Sequence, residues 1–293
     1  MLRRVGLFLL TNFLVMLTIG IILSIVLPRL GIDPRGYMGL AIFCGIFGMG
    51  GALFSLAISR WMAKRAYRIH IIKADERDYQ LREIYDMVAR LAQKAGMPSV
   101  PEVGIYESPE PNAFATGPSK NRSLVAFSTG LLNRMDKSEV EAVAGHEIAH
   151  ISNGDMVTMT LLTGVVNALV MFLARIIAAA INNFLRSDDG EGLGFFAYFL
   201  VVNLLQTFFM ILATIPIAAF SRYREYQADA GSAKITSSRA MANALKALAS
   251  GEQIQTKKDS YAIAKISSNR RVSLWSTHPS IEDRVARLEK MRI

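Results

Sequence analysis

Charge is missing from four long stretches of this chain, and that absence limits its fold more than any other feature. Val5–Leu27, Tyr37–Ile58 and Phe195–Phe220 contain no Asp, Glu, Lys or Arg; Val157–Ala174 is likewise uncharged, and after Arg175 the apolar character resumes to Ile181. A helix needs about 20 apolar residues to cross the hydrocarbon layer of a bilayer. The first, second and fourth stretches reach that length unaided. The third reaches it when Arg175 lies near one interface, its long stem snorkelling outward. The expected architecture is therefore a membrane α-helical protein with about four transmembrane helices, one pair in residues 1–58 and another in 157–220. Arg3 and Arg4 ahead of the first stretch look like the start of a secretory signal. The apolar run, however, exceeds the usual core of roughly 7–15 residues, and no small-x-small site follows, so an uncleaved anchor is expected.

Loop charges give the orientation. Arg29, Asp33 and Arg35 nearly balance between the first two spans, whereas Arg60, Lys64, Arg65, Arg68 and Lys73 follow the second. Arg186 faces Asp188, Asp189 and Glu191 in the next short loop, and Arg222 and Arg224 follow the last span. Basic loops stay on the cytoplasmic side, so residues 59–156 and 221–293 are expected there as two parts of one domain. The net charge of +9 is explained by these anchors beside anionic headgroups. A basic chain also raises nucleic acid as a partner, but no aromatic-interleaved basic patch or zinc finger accompanies it, so none is expected. Cys44 is the single cysteine and falls inside the second span, which excludes a disulfide within the chain.

The polar segments read as α+β. Leu81, Ile84, Tyr85, Val88, Leu91 and Ala95 recur at helical spacing and predict a helix over Asp75–Ala95, closed by Gly96 and Pro98. Glu102–Tyr106, Asn112–Thr116 and Ser123–Ser128 read as short extended pieces, with a turn formed by Gly117-Pro118 and Ser119–Arg122. A second helix starts near Asp136, where Asp136 and Glu139 form a capping box, and stops at Asn153-Gly154. Ser250–Ser273 is rich in Gln, Lys, Ser and Asn without a strong period, which predicts a mobile surface loop, a candidate flap.

On that second helix lies His-Glu-Ile-Ala-His, residues 146–150, holding two of the four histidines. His146 and His150 are one helical turn apart and share a face, so two imidazoles can hold one metal ion. Glu147 is placed to take a proton from a water at that ion. This H-E-x-x-H pattern is the signature of zinc peptidases. A catalytic zinc takes three protein ligands and leaves one position open. A third histidine six residues beyond His150 is ruled out, because Asn153 and Met156 occupy the positions that pattern needs. A carboxylate remains. Glu191 would face the opposite side of the membrane, and Glu252, Glu282 and Glu289 lack a companion at metal-site spacing, though topology leaves them open. Glu225 is the best candidate, shortly after the fourth span and one turn from Asp229. Asp229 would then accept a hydrogen bond from a ligand imidazole and fix its tautomer.

Three segments together carry a family resemblance: His146–Asp155, Asn112–Gly117 and Arg224–Ala233. In them, and over nearly the whole chain, the sequence resembles the HtpX-type membrane metalloproteases, with a more distant likeness to type I CAAX prenyl proteases. Gln227 departs from some members, which carry His there. The resemblance implies a zincin-like (gluzincin) domain and one zinc ion per subunit, held by His146, His150 and Glu225, with Glu147 catalytic. It also implies an endopeptidase of the bacterial inner membrane, acting in quality control on damaged membrane proteins and unfolded polypeptides. By the same likeness Asn112, Ala113, Phe114 and Ala115 belong to an edge strand beside which a substrate can add as an extra strand. His278 has two readings: a donor to the oxyanion of the reaction, or a residue at the start of a helix over Ser280–Met291, where Pro279 suits the first turn. His70, among basic residues after the second span, reads as interfacial. A different class of function, a catalytically inactive membrane scaffold or sensor with a structural metal site, would need a fourth protein ligand.

Overall fold

The computed structural model describes residues 21–34, 36–186, 192–256 and 274–291. In chain order its elements are α1 (Tyr37–Ala66), β1 (His70–Ile72), α2 (Tyr79–Lys94), β2 (Glu102–Tyr106), β3 (Ala113–Ser119), β4 (Arg122–Ser128), α3 (Thr129–Arg134), α4 (Lys137–Asn153), α5 (Asp155–Phe184), α6 (Phe195–Ile235), α7 (Ser238–Thr256) and α8 (Ile281–Lys290). They form two compact units. One takes in the chain up to Leu53 with Leu161–Ala213, the other Phe54–Thr160 with Thr214 onward.

Three described helices, α1, α5 and α6, each divided between the two units by residue number, are long and apolar enough to cross a membrane by length and composition. The first expected span, Val5–Leu27, lies largely outside the described residues; residues 21–29 are helical. Little of the helices' apolar length is covered by protein: 11%, 22% and 6% of an apolar 18-residue stretch in α1, α5 and α6 is buried, as lipid-facing helices require. Glycine sets the helix contact. A Cβ on Gly48 would stand 2.4 Å from the Ala168 nitrogen, and one on Gly164 2.7 Å from Met49 Sδ, so α1 and α5 meet backbone to backbone. The segment with Glu191 lies outside the described residues.

The second unit is built on a four-stranded sheet in the order β1-β2-β4-β3. β1 and β2 run antiparallel, β2 and β4 parallel, and β3 and β4 antiparallel, which leaves β3 at an edge. The central strand β4 is buried on both faces, with Leu124, Val125, Ala126 and Phe127 fully enclosed. Ile148 and Ile151 of α4 join Val88, Leu91 and Leu131 in the same core. Removing either isoleucine side chain would cost about 2–5 kcal/mol.

Two boundaries differ from the sequence expectation for local reasons. Helix α2 begins at Tyr79 rather than Asp75, because the Asp78 side chain accepts from the backbone nitrogens of Gln80 and Leu81 and so caps the helix. The expected turn at Gly117–Arg122 shrinks to Lys120 and Asn121. Strand β3 runs on to Ser119 through a bulge between Thr116 and Ser119, where Gly117 takes φ 142°. Glycine is required there: a Cβ would fall 2.3 Å from the Arg122 carbonyl oxygen. His70 lies in β1, paired with Ile105. Of the expected Ser250–Ser273 loop, residues up to Thr256 continue helix α7, and 257–273 lie outside the described residues.

Candidate metal centre

Helix α4 presents its histidines in a register pinned at both ends. Asp136 Oδ1 accepts from the nitrogens of Ser138 and Glu139, and Glu139 Oε2 accepts from Asp136 N at 3.1 Å, a complete capping box. Gly154 closes the helix at φ 75°, its N–H donating to the carbonyls of His150 and Ile151. Between these caps His146 and His150 stack one turn apart, their rings nearly perpendicular with centroids 4.6 Å apart.

Helix α6 brings the carboxylates. It crosses α4 where both are small. A Cβ on Gly145 would meet Ser232 Oγ at 2.8 Å, and one on Gly231 would meet Ala149 Cβ at 2.6 Å. Ser232, wholly buried, donates to the Ala142 carbonyl at 2.6 Å and ties the two backbones together. This close approach sets Glu225 and Asp229 against the two histidines. Nε2 of His146 lies 3.1 Å from Nε2 of His150 and 3.6 Å from Glu225 Oε2; Nε2 of His150 lies 3.5 Å from Glu225 Oε1.

These spacings fit one tetrahedral cation. Ligands about 2.0–2.1 Å from zinc stand roughly 3.3 Å from one another. The outer ring nitrogens explain why the inner ones are free to bind. His150 Nδ1 meets Asp155 Oδ2 at 2.6 Å, and His146 Nδ1 approaches Asp229 Oδ1 at 3.0 Å, off the line of a straight hydrogen bond. With the ring protons on Nδ1 and both Nε2 atoms unprotonated, two lone pairs would converge across 3.1 Å, where a metal ion can take the place of a shared proton. Burial pulls both imidazoles toward the neutral form. The Asp229 and Glu225 carboxylates outweigh it at His146 and raise that ring, while Asp155 and Glu225 raise His150 to about 9.

The carboxylates are themselves held. Arg284 of α8 donates from Nε and Nη2 to Asp229 at 2.8 and 2.6 Å, and its Nη1 lies 3.4 Å from Glu225 Oε2. Arg224 donates to the Asp155 carbonyl at 3.1 Å. His278 also reaches the cluster, its Nδ1 3.2 Å from Glu225 Oε2, with the side chain 67% exposed. It lies two residues before Ser280, the N-cap of α8, with Pro279 just ahead of the helix rather than in its first turn. Arg222 steadies the approach to His278 by donating to the Ser276 carbonyl at 2.6 Å.

Glu147 is half-buried and makes no side-chain hydrogen bond or ion pair among the described residues. Asn112 joins its backbone to Ser128 just before β3, donating to Ser128 Oγ and accepting from Ser128 N, both at 2.9 Å. Ala113 and Ala115 face the core beneath α4, and Phe114 stacks with Tyr67 and Tyr106 on the other face. Glu282 and Glu289 lie on α8, and Glu289 pairs with Lys246 instead. Asp155, Arg284, Arg224 and Arg222 have roles that spacing alone did not reveal. Only Asp155 left a signal, an acid directly after the helix-ending Gly154.

Comparison with known proteins gives the chain a family. The family model described as Peptidase family M48 matches residues 78–292. "Protease HtpX" of Shewanella oneidensis is 48% identical over 290 residues, covering 98% of this chain and 99% of that one. "Protease HtpX" of Idiomarina loihiensis is 46% identical over 291 residues, covering 99% of this chain and all of that one. The crystal structure of S. mikatae Ste24p shares the fold at a TM-score of 0.61 and 19% identity, over 97% of this chain; this chain spans 65% of that longer one.

Proposed function

This chain belongs to peptidase family M48 alongside the HtpX proteases, and on that premise we propose that it is a zinc-dependent endopeptidase of the bacterial inner membrane with its active site facing the cytoplasm. That it is a membrane metalloprotease follows from the family and from its apolar helices. The finer reading rests on one observation above all: His146, His150 and Glu225 offer three converging ligand atoms, all within 4.8 Å of one another, beside a Glu147 that makes no side-chain hydrogen bond or ion pair among the described residues. Two imidazoles and one carboxylate are the zinc set of thermolysin-like enzymes, and soft thiolates are absent from it.

A divalent ion held there supplies Lewis-acid activation of water and of the scissile carbonyl. The chain's own residues do the rest. Glu147 accepts a proton from the attacking water and passes it to the departing amine nitrogen. The exposed edge of β3 from Asn112 to Ala115 takes the substrate backbone as an added strand. His278 donates toward the carbonyl oxygen as negative charge grows on it. Asp155 and Asp229 keep the ring protons on Nδ1, and Arg284 keeps Asp229 in place.

The cytoplasmic orientation is supported by the basic residues in the last part of α1 and just after it, and by Arg222 and Arg224 ahead of Glu225. Substrates on that side include loops and tails of damaged membrane proteins. The test is a metal-dependence assay on detergent-purified protein, stripped by chelator and then given zinc, beside Glu147→Gln. Zinc is expected to restore cleavage of an unfolded polypeptide in the wild type. Glu147→Gln is expected to bind an equal amount of zinc, measured by mass spectrometry of the metal, and to lose at least about 100-fold in rate. Normal cleavage by Glu147→Gln would refute the proton-transfer role. Zinc binding without peptidase activity in the wild type would favour the scaffold reading.

A further inference from the structure

The membrane-crossing unit contains a cavity of about 760 Å³, walled on its apolar side by Leu23, Leu27, Leu40, Phe43 and Ile176. Arg175 lines the same cavity. It sits on α5 six residues before the apolar run ends at Ile181, about 9 Å of helix inside the boundary. Its Nη1 donates to the Met171 carbonyl at 3.1 Å, and its guanidinium lies 5.6 Å from the centre of the Phe43 ring. Among the described residues it has no other hydrogen bond and no carboxylate partner. An arginine has five N–H donors and keeps its charge in a protein. A cation in this setting is costly until an anion meets it.

The rest of the lining indicates which anion. Tyr37 and Tyr198 bring two phenol groups to the same space. The Ser24 hydroxyl is already committed to the Ile21 carbonyl. The other described lining residues are the apolar side chains of Leu23, Leu27, Leu40, Phe43, Ile176 and Ala179 together with Pro34, Gly36 and Gly39, and a soluble inorganic anion would have to shed water to lie against those side chains. A phospholipid brings both halves of the match: phosphate oxygens suited to the planar fork of an arginine, and acyl chains suited to leucine and phenylalanine. A zwitterionic headgroup carries its own ammonium, which competes with the guanidinium for the phosphate.

We propose that this cavity is a binding site for one anionic phospholipid, its phosphate on Arg175 and its proximal acyl chains along Leu23, Leu27, Leu40 and Phe43. The site is independent of the metal centre and of the peptidase reading.

Native mass spectrometry of the full-length protein tests it, with phosphatidylglycerol, phosphatidylcholine of the same acyl chains, and inorganic phosphate as separate probes. The wild type is expected to retain one phosphatidylglycerol about tenfold more tightly than phosphatidylcholine, and to hold no inorganic phosphate. Arg175→Gln should erase the headgroup preference, and Leu27→Trp, which fills the apolar wall, should weaken retention of both lipids. Folding of each variant is checked by circular dichroism and elution volume. Equal retention of the two lipids by the wild type overturns the proposal, as does binding of inorganic phosphate alone. So does an unchanged preference in folded Arg175→Gln. If neither variant folds, the wild-type headgroup comparison decides alone.

Discussion

At His150 the two ring nitrogens face opposite tasks. Nδ1 is held 2.6 Å from Asp155, while Nε2 points at the space shared with His146 and Glu225. Replacing Asp155 by Asn keeps the shape but removes the charge that fixes this tautomer, so zinc affinity should drop about 10–100-fold. Equilibrium dialysis against a chelator of known strength measures it, and unchanged affinity would remove Asp155 from the site. The same contacts make ion uptake depend on protons. In the metal-free protein, carboxylate contacts that outweigh burial raise His146, and raise His150 to about 9. An ion must displace those protons to reach the lone pairs. Affinity should therefore climb as pH rises from 6 toward 9, with protons released to the buffer on binding. A flat profile over that range would contradict the assignment.

Helices α4 and α6 make the site by touching where neither has bulk. Gly231→Val would drive a branched side chain into Ala149, already 2.6 Å from a bare Cβ at that position. Overpacking of this kind costs about 1–3 kcal/mol, and it should lower the melting temperature and release zinc together. A folded Gly231→Val protein with full zinc occupancy would show that the crossing does not position Glu225. The ends of α4 were legible in the sequence because caps are local: Asp136, Glu139 and Gly154 lie within a turn of what they cap. That His146 pairs with His150, and Glu225 with Asp229, on shared helix faces was legible because a one-turn spacing is itself a geometric statement, while the meeting of the two pairs came only with the fold. The Gly117-Pro118 pair misled, since the same residues that make turns also make bulges. Arg284 was silent. Its neighbours on α8 form an ordinary amphipathic pattern, and only the folded chain brings it to Asp229. The reach of His278 to Glu225 is of the same long-range kind, and the sequence could only leave it open.

Over the whole molecule, each unit is assembled from two separated stretches of chain, and the ligand set follows the same division. His146 and His150 come from before the α5–α6 pair, and Glu225 from the far end of α6, which carries an apolar run on the same unbroken helix. An active site joined so closely in sequence to membrane helices should favour substrates that share the bilayer. In liposomes, a membrane-tethered polypeptide should be cleaved about tenfold or more faster than its soluble twin of equal sequence, through raised local concentration. Equal rates would argue against that preference. The arginine clamp on Asp229 carries a last implication for biosynthesis. The histidine pair leaves the ribosome long before Arg284 does, so a nascent chain can carry the motif in full and still lack the contact that steadies its supporting carboxylate. Peptide cleavage would then await α8, and a copy still lacking that helix would leave its neighbours in the membrane uncut.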